Sequence, residues 1–130
     1  MMDVDYFKQF NDQYGHKCGD QVLQYLAKLL TSETRRSDIV CRYGGEEFVV
    51  LMPDATLEVA RQRAEGWRQH FASNPFEYNG EKLHVSFSVG LASFPLHGLS
   101  GEAILQIADQ ALYESKANGR NMVTVYHPDR

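Results

Sequence analysis

The chain lacks the features of membrane, secreted and nucleic-acid-binding proteins. It has no apolar run near the roughly 20 residues of a membrane span, and no signal peptide pattern. Cysteine occurs only twice, at Cys18 and Cys41, which fits neither a disulfide framework nor a zinc site. The net charge of −4 argues against a basic nucleic-acid-binding face. These absences predict a cytoplasmic domain that does not bind nucleic acid.

What is present is the composition of one ordinary globular domain. The 130 residues are 43% hydrophobic and 23% charged, and they are enough for a substantial core. We therefore expect a single domain over residues 1–130. The opening residues MMDVDYF already follow a strand pattern, so we expect the chain to be a piece of a longer protein.

Hydrophobic periodicity predicts the element order β-α-β-β-α-β-α-β. Alternating or continuous apolar runs predict strands at residues 2–5, 39–43, 48–52, 85–92 and 122–126. Helical spacing predicts a short helix around Phe7 to Tyr14, a second from Asp20 after the GHKCGD interruption, and later helices capped by Thr56 and Ser100. Asn118-Gly119 is the predicted stop of the last helix.

This order fits an α+β fold, a ferredoxin-like split βαβ core with helices on one face of a mainly antiparallel sheet. If the first two strands are parallel, the strand after the GGEE turn lies between them. The end of the first strand and the turn then share one edge of the sheet. Asp3 and Asp5 would approach Glu46 and Glu47 there.

Carboxylates that converge in this way repel one another, and a hard divalent cation relieves the repulsion. Mg²⁺ takes oxygen ligands, often one or two carboxylates together with substrate phosphates. Gly44 and Gly45 would let a phosphate approach the backbone closely and would allow positive φ. A metal-nucleotide site is one interpretation. An exposed turn with solvated glutamates is the other.

Four segments, in order and spacing, resemble the GGDEF family of diguanylate cyclases. They are DVDYFKQFNDQYGHKCGD, RRSDIVCRYGGEEF, VSFSVGLA and ADQALYESKANGRN, which together span most of the chain. The resemblance implies that two GTP molecules are condensed into cyclic di-GMP with release of two pyrophosphates. It also implies the palm fold of nucleotide cyclases and polymerases. The family's usual N-terminal segment has no counterpart here, and position 46 is Glu where the family usually has Asp.

The resemblance also assigns the acidic residues. It makes Asp3 and the Val4 carbonyl ligands of Mg²⁺ or Mn²⁺, and makes Glu46 a further ligand and the general base. Glu47 belongs to the same catalytic turn and supports the metals. Asp5 has no clear role in this assignment, and the alternative for it is an N-cap of the helix that follows.

By the same resemblance, Asn11 and Asp20 read the guanine base, and His16 belongs to their motif. A carboxylate accepts from the N1–H and N2–H₂ groups of guanine, and an amide can serve its acceptors. The alternative for Asp20 is the N-cap of the second helix. The alternative for His16 is a structural hydrogen bond within the loop.

Phe7 and Lys8 follow the metal aspartate, where a helix N-terminus can offer amides to the β- and γ-phosphates. Lys8, Lys116 and Arg120 match the family's cations near the triphosphate. For Lys116 and Arg120 the alternative is a favourable charge at a helix C-terminus, which contributes about 0.3–1 kcal/mol.

Arg35 and Asp38 form an R-x-x-D motif before the GG pair, and in this family that motif is the product-inhibition site. A guanidinium can bind guanine O6 and N7 together, while a carboxylate accepts from its N–H groups. The alternative is a surface ion pair, which stabilises little.

The resemblance implies a homodimer during turnover, since each protomer presents one GTP. It also implies a sensory or receiver domain in the full-length chain, which could itself be membrane-anchored. A catalytically silent domain that binds GTP or cyclic di-GMP is the alternative function. Asp3, Gly44, Gly45, Glu46 and Glu47 are all present, which favours the enzyme.

Overall fold

A computed structural model of the chain describes residues 1–128. The strands are β1 Met2–Val4, β2 Ile39–Arg42, β3 Glu47–Leu51, β4 Phe76–Tyr78, β5 Glu81–Leu83, β6 Phe87–Leu91 and β7 Val123–Val125. The helices are α1 Phe7–Tyr14, α2 His16–Glu33, α3 Leu57–Ser73 and α4 Gly101–Ala117. None of the helices within residues 1–128 is both long and apolar enough to cross a bilayer.

Five strands form the main sheet in the order β2-β3-β1-β6-β7. β3 pairs antiparallel with both β2 and β1, β1 pairs antiparallel with β6, and β6 pairs parallel with β7. The predicted α+β class and the central place of the strand after the GGEE turn are therefore confirmed. The parallel β6–β7 pair is connected by α4, as parallel neighbours require a crossover.

The helices cover both faces of the sheet, so the expectation of helices on one face is wrong. The Phe87 ring contacts Phe71 of α3 with ring centroids 5.3 Å apart. Gly90 lies instead against the backbone of α4 at Ala108 and Leu112. Residues three apart on a strand point to opposite faces. α3 and α4 therefore pack on opposite faces. The fully buried Phe87 belongs to the core on the α3 side, and its burial contributes about 1.5–3 kcal/mol to stability.

Helix α2 begins earlier than the glycine pattern suggested. Gly15 occupies its N-cap position with φ of 93°, while Gly19 and Asp20 lie inside the helix. Asp20 is therefore not an N-cap, and that alternative is wrong. The other predicted caps are confirmed, because Thr56 accepts from Val59 N at 3.2 Å and Ser100 accepts from Ala103 N at 3.1 Å.

A second, two-stranded sheet was not expected from the sequence. β4 and β5 pair antiparallel, and they are joined by Asn79 and Gly80 with φ of 50° and 79°. Two consecutive positive φ angles characterise a type I′ hairpin turn. The predicted strand at 85–92 is also shorter in the structure, where β6 begins at Phe87.

Candidate functional site

The predicted approach of the β1 end to the GGEE turn is confirmed. Asp3 and Glu47 are directly opposite each other across β1 and β3. The Val4 amide donates to the Glu46 carbonyl at 3.2 Å. Alternation along β1 buries Met2 and Val4 in the core and directs Asp3, only 6% exposed, to the other face.

The negative charge at this place is poorly compensated. Burial raises the pKa of Asp3 above its ordinary value, and neighbouring carboxylates raise it further, against the opposing effect of Lys116. Burial also raises the pKa of Glu47, and the charges of Asp3 and Asp109 act in the same direction. Both carboxylates would be stabilised by a cation.

One cation is supplied by the protein itself. Lys116, in the last turn of α4, donates from Nζ to Asp3 Oδ2 at 2.8 Å. Within residues 1–128, no three His, Cys, Asp or Glu side chains are arranged closely enough to hold a metal ion. The oxygen donors of Asp3, Glu46 and the Val4 carbonyl suit Mg²⁺ or Mn²⁺ in chemical type, and the buried negative charge of Asp3 favours a cation beside them.

An arginine that the sequence analysis did not single out holds the turn. Arg42 Nη2 donates to the Gly45 carbonyl at 2.8 Å, and Arg42 Nε donates to the Gly44 carbonyl at 3.3 Å. The Tyr43 amide donates to the Glu47 carbonyl at 2.8 Å. Neither glycine has positive φ, so the expected use of that conformation is wrong. The available signal for Arg42 was its place at the end of the strand before the turn, two residues ahead of Gly44.

Asp5 does not cap a helix, because Tyr6 occupies the N-cap position of α1 in a left-handed conformation and no side chain caps that helix. The Asp5 carboxylate instead accepts hydrogen bonds from Ser86, Ser88 and the Asn121 amide. It therefore binds β6 and the segment after α4.

The predicted phosphate ligands lie near the same strand end. Phe7 and Lys8 form the first turn of α1, and Lys8 is exposed. Arg120 has its guanidinium 4.6 Å from the centre of the Tyr6 ring and donates to the Lys116 carbonyl at 3.3 Å. That last bond is the helix C-terminal interaction given as the alternative role for Arg120.

The two predicted guanine ligands are neighbours across α1 and α2. Asn11 Oδ1 is buried and has no hydrogen-bond partner among the described residues. It lies so close to Gly19 that a Cβ there would be 1.8 Å from it. Asp20, the next residue, is exposed and lines a groove of about 460 Å³ between α2 and the β2–β3 hairpin. His16 is the exposed first residue of α2.

Arg35 and Asp38 form an ion pair in the segment directly before β2. Arg35 Nη2 lies 3.0 Å from Asp38 Oδ1, and its backbone amide donates to Oδ2 at 2.8 Å. Arg63 of α3, which the sequence analysis did not identify, adds a second guanidinium 3.0 Å from Oδ2. Burial raises the pKa of Asp38, but the hydrogen bonds from Arg35 and Arg63 outweigh it and hold the value below the ordinary one. The Asp38 side chain is completely enclosed.

A mixed sheet with an acidic site where β1 meets β3 is the arrangement of palm-like nucleotide cyclase domains. The sequence matches the family described as "Diguanylate cyclase, GGDEF domain" over residues 1–122. The chain belongs to this GGDEF family.

Named relatives agree with the assignment. Diguanylate cyclase A of Treponema denticola is 44% identical over 125 residues, which make up 96% of this chain and 34% of that protein. The chain thus spans about a third of that relative's length. The crystal structure of the GGDEF domain of DgcB from Caulobacter crescentus, in complex with c-di-GMP, has a TM-score of 0.89 at 37% identity and covers 95% of this chain and 74% of that one. The active GGEEF domain of a diguanylate cyclase from Vibrio cholerae has a TM-score of 0.83 at 40% identity, covering 97% and 80%.

Proposed function

We propose that this domain is a diguanylate cyclase, which condenses two GTP molecules into cyclic di-GMP and releases two pyrophosphates. The observation that carries the proposal is the pairing of Asp3 with Glu47 across β1 and β3, which brings the GGEE turn against a buried carboxylate. The Vibrio cholerae domain, described as active, has the same GGEEF variant. Glu in place of Asp at position 46 is therefore compatible with catalysis in a relative.

In the proposed reaction, the ribose 3′-hydroxyl of one GTP attacks the α-phosphate of the other. A bond forms between O3′ and the phosphorus, and the bond from that phosphorus to pyrophosphate breaks. Glu46 accepts the hydroxyl proton, while Glu47 maintains the negative charge of the turn. Mg²⁺ or Mn²⁺, held by Asp3, the Val4 carbonyl and Glu46, would neutralise phosphate charge and lower the pKa of the hydroxyl.

The remaining residues orient the nucleotide. Asp20 accepts from the N1–H and N2–H₂ groups of guanine, and Asn11, beside Gly19, completes the base contact. His16 supports this loop. Phe7 and the uncapped amides of α1, together with Lys8, face the triphosphate, as the positive end of a helix dipole favours.

Lys116 and Arg120 add positive charge on the α4 side of the phosphates. Gly44 and Gly45 leave the backbone of the turn open to phosphate, since a Cβ on Gly45 would contact nothing within 4 Å. Lys116 would exchange its bond to Asp3 for one to phosphate when nucleotide and metal bind.

Two copies of the chain, each with one GTP, form the productive dimer. Cyclic di-GMP would inhibit by binding Arg35 and Asp38. For this the Arg35 guanidinium must leave Asp38 and the Pro53 carbonyl, to which it donates at 2.8 Å, and turn to guanine O6 and N7. Arg63 stays beside Asp38 and keeps its carboxylate oriented. A sensory or receiver domain in the full-length protein would control dimer formation in the cytoplasm.

A silent domain that binds GTP or cyclic di-GMP is the second candidate. It is favoured by the 2.8 Å bond of Lys116 to Asp3, which supplies that carboxylate with one cation from the protein itself.

The deciding experiment incubates the domain with GTP and Mg²⁺ and separates the products by chromatography, with Asp3→Asn as the matched control. We expect cyclic di-GMP and pyrophosphate in a ratio of about 1:2, with specific activity rising with protein concentration because a dimer is required. GTP binding without product at any protein concentration would reject the cyclase and leave the silent module.

A further inference from the structure

The Asp5 carboxylate is buried and accepts hydrogen bonds from three donors. Its residue is 6% exposed. Oδ1 accepts from Ser88 Oγ at 2.6 Å, and Oδ2 accepts from Ser86 Oγ at 2.7 Å and from the Asn121 amide at 3.0 Å. An ionised carboxylate only accepts, and such charge-assisted hydrogen bonds are among the stronger ones in proteins. Asp5 therefore ties the end of β1 both to β6 and to the segment after α4.

That segment has an unfavourable backbone. Gly119, Arg120 and Asn121 have φ of 117°, 65° and 50°, three left-handed conformations in succession. Glycine adopts this region easily, but arginine does not, and such strain persists only where surrounding contacts impose it. The bond from the Asn121 amide to Asp5 is one of those contacts. A second is the bond from the Arg120 amide to the Ser115 carbonyl at 2.9 Å.

The strained turn determines where the Arg120 side chain lies. Its guanidinium is 4.6 Å from the centre of the Tyr6 ring, and Tyr6 directly follows Asp5 in the chain. The first turn of α1 begins at Phe7, where no side chain occupies the cap. Arg120 thus lies against the N-cap residue of a helix whose first amides no side chain caps, a combination suited to an anionic group.

We propose that Asp5 is a positioning residue, which acts through the Asn121 amide to hold Arg120 against the triphosphate of GTP. This proposal rests on the proposed function for the identity of the ligand. Asp5 itself contacts neither the metal nor the nucleotide. The bracket, defined as Asp5, Ser86, Ser88 and Asn121, exists in the protein without ligand.

The test is a double-mutant cycle on nucleotide affinity. The probe is 3′-deoxy-GTP with Mg²⁺, which lacks the attacking hydroxyl and so cannot be condensed. Dissociation constants are measured by calorimetry for the wild type, Asp5→Asn, Arg120→Ala and the double variant. Asp5→Asn should weaken binding about tenfold, as expected for a charge-assisted hydrogen bond. The double variant should bind within about twofold of Arg120→Ala alone, because both changes remove one interaction.

Two controls separate positioning from general damage. Asp12→Asn, an exposed aspartate on α1, should leave the affinity unchanged. 3′-Deoxyguanosine, which has no phosphates, should bind Asp5→Asn as it binds the wild type. The proposal would be overturned if the affinity losses of Asp5→Asn and Arg120→Ala multiplied in the double variant. It would also be overturned if Asp5→Asn lost the same affinity for 3′-deoxyguanosine as for 3′-deoxy-GTP.

Hydrogen exchange tests the bracket without any ligand. In Asp5→Asn the Asn121 amide should exchange more than about tenfold faster, while the Val89 amide, which donates to Met122 O, keeps its protection. Unchanged exchange at Asn121 would overturn the bracket.

If Asp5→Asn does not fold, Ser86→Ala replaces it, because Ser86 is only partly buried and its loss should have the same effects at smaller size. Failure of the wild type to bind 3′-deoxy-GTP would reject the proposed function, and the exchange experiment would still decide on the bracket.

Discussion

Gly90 of β6 couples the core of the domain to its site, and Gly90→Ala tests that coupling. A Cβ at this position would lie 2.1 Å from the Ala108 carbonyl oxygen and 2.2 Å from the Leu112 amide nitrogen. Both are backbone atoms of α4, so no side-chain rotation relieves the clash. An ordinary contact needs roughly 3.5 Å, so α4 must withdraw from the sheet by more than about 1 Å.

The cost of this withdrawal follows from the packing of α4. Ala111 and Leu112 are 0% and 2% exposed, so the helix fits tightly against β6 and has little free space. Overpacking of a well-packed core costs about 1–3 kcal/mol. We place Gly90→Ala at the upper end of that range, because backbone must move.

The same movement should also affect the site. α4 carries Lys116, whose Nζ is 2.8 Å from Asp3, and it leads directly into the turn that contains Arg120. A helix shifted by more than about 1 Å brings these cations out of position, and errors of this size weaken binding and catalysis strongly. GTP affinity should therefore fall together with stability.

The assay is urea unfolding followed by circular dichroism, together with calorimetric titration of 3′-deoxy-GTP. Gly66→Ala is the matched control, because Gly66 is exposed on α3 and a Cβ there contacts nothing within 4 Å. That control should gain about 0.5–1 kcal/mol from helix propensity. If Gly90→Ala unfolds with the free energy of the wild type and binds the nucleotide equally well, the argument from close packing of α4 is refuted.

Three further predictions concern the acidic turn and the R-x-x-D motif. Glu46→Gln should reduce turnover at least about 100-fold, through loss of the general base, while calorimetry still detects GTP binding; turnover at the wild-type rate would remove that role. Arg35→Ala should raise the cyclic di-GMP concentration for half-inhibition about tenfold in a cyclase assay, through loss of the guanine contact; an unchanged inhibition curve would exclude Arg35 from the site. Asp38→Asn should lower the free energy of unfolding by about 2 kcal/mol at pH 7. Because the pKa of Asp38 is lowered on folding, its contribution is present above the unfolded value of 3.8 and is lost as the pH falls through the lowered pKa. Urea unfolding at pH 7 and pH 3 should thus show the deficit shrinking in acid, and a deficit independent of pH would contradict the ionic explanation.

The pattern of apolar residues in the sequence was enough to predict that Asp3 meets the GGEE turn, because this contact depends only on which strands pair. Once the runs before and after GGEE are recognised as a hairpin, and the first strand as the neighbour of the strand after the turn, the meeting of Asp3 with the turn follows from topology. Motif spacing then supplied the roles of the guanine and phosphate ligands. These roles come from resemblance, since no local propensity distinguishes Asn11 from any other helical asparagine.

The errors have physical causes as well. Gly15 ends α1 with a positive φ, whereas Gly19 lies inside α2, where Asn11 and Phe7 leave no room for a side chain. Two glycines with the same local pattern therefore have opposite uses. The β4–β5 hairpin, in contrast, was available to sequence reasoning, since Asn79-Gly80 is the strongest signal for a type I′ turn.

Asp3 and Asp5 show most directly why sequence could not assign every carboxylate. They are two residues apart in the predicted strand 2–5, so alternation predicts similar directions for them, and from the motif alone either could bind metal. Their hydrogen-bond donors decide the difference, and those donors are more than 80 positions away. Asp3 has a single lysine and the charge of the turn, and it is left short of positive charge. Asp5 has three neutral donors, and both of its oxygens accept hydrogen bonds. A carboxylate whose two oxygens already accept three hydrogen bonds gains less from a metal than one with a single partner, and we therefore expect the cation at Asp3 and the structural bracket at Asp5.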